Sequence, residues 1–411
     1  MKILVFAHRL ELGGTQTNAI ELAATVRDQF GHDVVLFAAP GPAVALAEQK
    51  GLRLIEAPDA QSHPSPAVMR ALRAAVRTER PDLIHVWDWP QCFDAYYGEH
   101  LLRGVPILCT MMGMVVPRFL PRHLTTTFGT RQLVDEARAM RAGRVELLEP
   151  PVDTDFNAPG AVDSAPFRAK FGLDDGKLNL VTVSRLTEWL KLESLQRSIA
   201  AVDLLAEDLP VRLVLVGEGT AAERVGELAN RVNDRHGTDV VVMTGGMIDP
   251  RPAYDCADLM LGMGGSALRS LAFAKPIVVL GERGFSLPYD ETSAGYFGQW
   301  GYYGLGTGDL SAEPLAEQIR PLLLDPDRRA ELGAFGRSVV TEHYGLAPAA
   351  RGVERLYREV AAAKVSRSTA LREGVRTAAL LAGRRLPEPL KNNLRGKGFA
   401  PRKTAPEGAV R

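Results

Sequence analysis

Cysteine is scarce: Cys92, Cys109 and Cys256 are the only three in 411 residues, odd in number and scattered. That excludes a disulfide framework, offers no zinc-type spacing and fits a reducing cytoplasm. Long apolar runs are also missing. No uninterrupted stretch reaches the roughly 18 residues of a membrane span, and the N-terminal run ending at Phe6 soon meets His8 and Arg9, too short for a signal peptide. Neither sign of charge is in excess, with 49 Lys+Arg against 49 Asp+Glu, so bulk charge gives no case for a nucleic-acid partner. The Gly-x-Gly-x-x-Gly fingerprint of dinucleotide binding is absent, which disfavours a dehydrogenase. No repeat of solenoid period is visible.

What is present is an α/β pattern. Apolar residues make up 46% of the chain, ample for more than one core. Strands are expected at 2–7, 33–38, 83–86 and 106–110, with helices at 15–29 and 66–79 between them. After a proline-rich junction, Glu149 to Pro159, the pattern restarts with strands at 178–183, 212–216, 240–244, 259–262 and 276–280. Strands alternating with helices predict parallel, doubly wound sheets, here two Rossmann-like domains facing a cleft. The expected boundaries are 1–160, 161–345, a helix at 346–364 and a basic tail at 365–411. That tail holds 11 Lys/Arg against 3 Asp/Glu, a net +8 that leaves −8 for the rest. It reads as a disordered basic segment; the alternative is a weak interfacial helix with Leu371, Val375, Ala378 and Ala382 on one face, touching anionic lipid.

Candidate residues gather where strands end, the edge at which open α/β sheets bind ligands. Arg185 and Lys191 follow the strand 178–183; two fixed cations suit a group of about two negative charges, such as a diphosphate. A strand ending in exposed basic residues is the plain alternative. Gly13 and Gly14 open the first helix, where bare backbone amides attract anions, or they form a simple tight turn. Gly217-Glu218-Gly219 forms a second such turn. Gly262, Gly264 and Gly265 lead into a short helix that Ser266 can cap, giving an anion-binding nest. His85, Trp87, Asp88 and Trp89 stand at a strand end, where rings and a carboxylate can meet a sugar, or pack as an aromatic loop. Arg118, Arg122 and His123 suit an anionic acceptor, or a solvated loop.

In order and spacing, these pieces resemble the family 4 retaining glycosyltransferases of GT-B architecture, over roughly residues 1–360. The carriers are Gly13-Gly14, Pro151-Val-Asp-Thr-Asp-Phe, Ser184-Arg-Leu with Lys191, and Gly217-Glu-Gly. Val242-Met-Thr-Gly-Gly-Met, Tyr254-Asp-Cys-Ala-Asp258, Ala272-Phe-Ala-Lys-Pro276 and Glu354-Arg-Leu-Tyr-Arg-Glu-Val360 complete them. The resemblance implies transfer of a sugar from a nucleotide sugar, UDP favoured, with retained configuration and no metal or other cofactor. Arg185 and Lys191 would neutralise the diphosphate, helped by the Gly14 amide. Gly217, Glu218, Gly219 and the run Gly265, Ser266, Ala267, Leu268, Arg269 would line the nucleotide site. His85 and Asp88 complete the expected catalytic set. The first domain would take the acceptor, a glycan, glycolipid or small metabolite, in a cytoplasmic protein with weak peripheral membrane contact through its tail. Where the family has two glutamates, this chain has Leu261 and Arg269, and Glu282 is the expected substitute; where it has histidines, this chain has Trp87 and Met112. Those departures motivate the alternative of a catalytically silent nucleotide binder that regulates a partner glycosyltransferase. An epimerase would need an acid/base set that is not identifiable.

Overall fold

The computed structural model describes residues 1–364 and 366–384, and these divide into two compact units. One comprises Met1–Pro151 with the segment from Leu346; the other is Val152–Gly345. The first unit is built on seven parallel strands: β1 (Lys2–Phe6), β2 (Asp33–Ala38), β3 (Arg53–Glu56), β4 (Leu83–Trp87), β5 (Ile107–Met111), β6 (Thr125–Phe128) and β7 (Val145–Leu147). Their order is β3-β2-β1-β4-β5-β6-β7. The central strands are apolar on both faces because helices cover both. One core cluster contains Phe6, Phe37 and Val86, the other Val5, Leu36 and Trp87. The helix Leu346–Ala362 returns to this unit and buries Val353, Leu356 and Tyr357 in the second cluster.

The second unit repeats the plan with β8 (Leu178–Val183), β9 (Val211–Val216), β10 (Val241–Gly245), β11 (Leu259–Gly262), β12 (Ile277–Leu280) and β13 (Ser286–Pro288). The order is β10-β9-β8-β11-β12-β13, all parallel except the last strand. In both units the order reverses beside the first strand, so the carboxyl ends of β1 and β8 sit at the switch points where such sheets bind ligands. The strands that the sequence pattern did not reveal are β3, β6, β7 and β13. Each has only three or four residues, and β3 is an edge strand with partly exposed side chains, so neither a long apolar run nor clean alternation marks them.

The start of the tail departs from expectation. Residues Arg367–Arg384 form a helix docked on the first unit. Tyr96 and Tyr97 donate hydroxyl bonds of 2.7 and 2.8 Å to the carbonyls of Ala370 and Gly374, and Glu373 pairs with Arg122 and Arg376. The face that docks is Ala370, Glu373, Gly374 and Thr377; Leu371, Val375, Ala378 and Ala382 all point to solvent. The remainder of the expected basic tail, 385–411, lies outside the described residues. Among the described residues no helix is long and apolar enough to cross a membrane.

Candidate functional site

In the second unit, the carboxyl edge of β8 carries both expected cations. Arg185 is exposed in the loop that leaves Val183. Leu190, at φ 70°, then turns the chain back, and Lys191 lines a small recess with Thr182, Ser184, Ser194 and Gly262. A non-glycine residue at positive φ is a local strain of about 1 kcal/mol, of the kind that gathers at functional sites. Burial, and after it the neighbouring charge of Arg185, lower the Lys191 pKa to about 8 against the opposing pull of Glu282. Trp189, between the two cations, is 74% exposed.

The Gly217–Gly219 turn has a different part from the one expected. Gly217 and Gly219 sit at φ 151° and 150°, and a Cβ on either would fall 1.8 Å from the Ser184 carbonyl oxygen or 2.3 Å from that of Leu186. Leu186 donates its amide to Glu218 O at 2.9 Å. These glycines clamp the Arg185 loop from behind, so they act on a ligand through that loop. Glu218 is exposed, with its carboxylate beside Gly246.

One expectation at the third glycine turn is corrected. The helix Gly265–Ala272 is preceded by Gly264 at φ 61° and has no side-chain cap. Ser266 does not cap it; its Oγ accepts a 3.2 Å hydrogen bond from the Tyr254 hydroxyl. Ala267 and Leu268 are 0% and 1% exposed, so their side chains belong to the core and only their backbone can meet a ligand. Arg269 folds back over its own first turn, its Nη1 3.5 Å from Gly265 O. Leu261 is fully buried. Glu282 follows β12 in the field of Lys191, and Tyr303 donates its hydroxyl to it. Glu193 holds the same loop by accepting the amides of Arg283 and Gly284 at 3.0 and 2.7 Å.

In the first unit, Gly13 caps the helix Gly14–Phe30 with extended backbone and no side-chain hydrogen bond, and no acidic residue occupies the first turn. A Cβ at Gly14 would meet nothing within 4 Å. Nothing within the unit therefore demands glycine there, and a helix start of this kind suits an anion. Asp88, at φ 78°, caps the next turn by accepting from Trp89 N at 2.7 Å. His8 Nε2 lies 3.4 Å from Asp88 Oδ2, with both side chains partly exposed. Sequence reading missed His8. The signal was in the strand pairing: Phe6 faces Val86, which carries residue 8 alongside residue 88.

His85 is corrected outright. It is 1% exposed inside β4, with Nδ1 2.7 Å from the Tyr357 hydroxyl and Nε2 2.7 Å from Thr110 Oγ1. Burial pulls its pKa down to about 3, so it is a neutral core residue that no ligand reaches. Trp87 is equally buried, while Trp89 packs at the edge against Phe93 and Phe119. Arg122 is spent on Glu373, and His123 stands at the start of β6, the amino edge, away from Gly14 and Asp88.

Two Rossmann-like units, each with a glycine turn and ligand-ready groups at its carboxyl edge, define an α/β protein of the GT-B fold. Solved structures agree. A glycosyltransferase from Rickettsia africae ESF-5 superposes with a TM-score of 0.68 at 15% identity, covering 88% of this chain and 99% of that one. Anabaena Alr3699/HepE in complex with UDP-glucose gives 0.68 at 14%, covering 87% and 100%. At such identities the likeness shows the fold. Residues 12–156, within the N-terminal unit, match the sequence model of Glycosyltransferase Family 4. The GDP-mannose-dependent alpha-(1-6)-phosphatidylinositol monomannoside mannosyltransferase of Mycobacterium tuberculosis is 28% identical over 218 residues, 49% of this chain and 53% of the relative. The chain thus spans about half the length of the curated relatives it matches.

Proposed function

We propose that the protein is a retaining, metal-independent glycosyltransferase that moves a sugar from a nucleotide sugar to a hydroxyl acceptor. The observation that carries this is the pair Arg185 and Lys191 at the carboxyl edge of β8. An ammonium whose pKa is lowered by burial and by a cationic neighbour gains most when a dianion arrives between the two. In this reading Arg185 and Lys191 neutralise the departing diphosphate, and the amide of Gly14 is an anion donor of the first unit. The leaving phosphate oxygen takes the acceptor proton, and His8, oriented by Asp88, contacts a sugar hydroxyl.

UDP-sugars are the first donors to test, on the family resemblance and the UDP-glucose complex of HepE. GDP-mannose is the second, from the printed name of the mycobacterial relative. That relative's acceptor is a lipid. A lipid-linked acceptor here is supported by the solvent-facing stripe Leu371, Val375, Ala378 and Ala382, flanked by the exposed Arg372, which would meet the inner face of an anionic membrane from the cytoplasm. The deciding assay is nucleoside diphosphate release from a panel of UDP-, GDP- and ADP-sugars with host extract as acceptor. Release dependent on both Arg185 and Lys191 supports the proposal; folded protein that releases nothing from any donor defeats it. Buried Leu261 and the guanidinium of Arg269, standing where the family has carboxylates, favour the second reading of a silent nucleotide binder, which would bind nucleotide and still release none.

A further inference from the structure

We propose that the first unit holds a second binding site, at the amino edge of its sheet, for a small soluble organic anion: an apolar body about the size of a benzene ring, bearing one carboxylate or phosphate. A cavity of about 160 Å³ opens there. Cavities of roughly this size accept benzene. Its apolar walls are Leu101, Pro106, Ile107, Leu124, Val360 and Ala370, and its charged lining is Arg103 and Arg367. No carboxylate lines it among the described residues.

The surroundings carry a surplus of positive charge. Arg73 and Arg103 share the single buried carboxylate of Glu99, and Arg122 and Arg376 share that of Glu373. Arg141 spends its Nη2 on the carbonyls of Pro121 and Leu124, beside the cavity wall. Arg367 brings a further cation on the exposed first turn of the last helix. On the wall itself the charged groups are Arg103 and Arg367, and a low-dielectric wall strengthens their attraction for an anion.

The polar wall is His100 and His123, whose Nε2 atoms lie 3.2 Å apart. His100 Nδ1 donates to Val105 O at 2.8 Å, so in the neutral ring its Nε2 is the acceptor and His123 Nε2 the donor. An apolar slot with a cationic rim selects an anion with an apolar body over bare phosphate.

The site stands apart from the proposed sugar transfer, so its failure leaves that reading intact. The test is calorimetric titration of the full-length protein with 4-bromobenzoate, phenyl phosphate and inorganic phosphate. An aromatic anion should bind at about 1 mM or tighter, and inorganic phosphate several-fold more weakly. Arg367→Ala should weaken the aromatic anion by about fivefold or more. Ala363→Phe, at the exposed mouth, should abolish binding, with Tm and donor turnover unchanged in both variants. A bromine anomalous peak in the cavity of soaked crystals would place the ligand. The proposal falls if no probe binds, if binding survives both variants, or if inorganic phosphate binds as tightly. It also falls if only anionic phosphatidylglycerol vesicles compete for the site, which would make the ligand a lipid headgroup.

Discussion

Lys191 is the residue whose chemistry is most open to measurement. Its pKa of about 8 means that the ammonium is lost as pH rises through 8, well below the usual 10.5. A diphosphate needs the charged form, so nucleotide affinity should be constant below pH 7 and fall by up to about tenfold per unit above 8. Lys191→Arg cannot lose its proton in this range and should flatten the profile. A wild-type profile that is already flat from pH 7 to 9.5 would remove Lys191 from the diphosphate site. The sign for stability is opposite. The unfolded lysine binds more protons between pH 8 and 10.5, so the penalty for burying the charge is present below 8 and is relieved as pH rises. At the other carboxyl edge, His8→Ala and Asp88→Asn should each lower kcat by about 10- to 100-fold while nucleotide affinity stays as it was. Equal turnover in His8→Ala would leave the His8–Asp88 pair a structural contact. Much of this site was readable as strand-end residues, because a strand, its exit turn and the next helix lie within about a dozen residues. His8 was not, because its partner is 80 residues away and only the β1–β4 pairing joins them.

Among the elements, the two kinds of glycine turn separate. At Gly217 and Gly219 a methyl group would collide with backbone carbonyls, which cannot rotate away as a side chain can. Gly217→Ala or Gly219→Ala should destabilise the protein by about 1–3 kcal/mol and also weaken diphosphate binding by displacing the Arg185 loop. Gly14→Ala meets no such obstacle. It should leave Tm unchanged and weaken diphosphate binding alone, because the methyl stands where a ligand approaches the amide. Thermal melts with and without UDP distinguish the two, and a Tm loss in Gly14→Ala would contradict the assignment. From sequence the turns look alike, each a glycine pair after a strand; the difference is what lies behind them, which depends on how the neighbouring loop folds back.

At the scale of the whole molecule, charge is unevenly spread. The last 47 residues carry +8 and the rest −8. The helix Arg367–Arg384 fixes the start of that segment on the first unit and turns an apolar stripe outward, with Leu371 58% and Val375 64% exposed. Sedimentation with phosphatidylglycerol vesicles should bring the protein down at low salt and release it as salt rises. Leu371→Glu/Val375→Glu should reduce the bound fraction severalfold without altering Tm, since neither side chain packs. Equal binding by this variant would assign any membrane affinity to charge alone.

The sequence by itself determined the α/β class, the restart of the pattern after the proline-rich junction, and the places where cations and glycines meet strand ends. All of these are written in local apolar periodicity and turn chemistry. Only the tertiary structure decided which of those residues reach a ligand. His85 looked like a strand-end histidine and is sealed under Tyr357, which lies 272 residues away in sequence. The start of the tail, which read as a disordered basic segment, is a docked helix with its apolar stripe left outside, because Glu373 found Arg122 and the backbone at Gly374 came close to Tyr97. Such outcomes rest on strand order and on pairings between distant segments, and no window of neighbouring residues contains them.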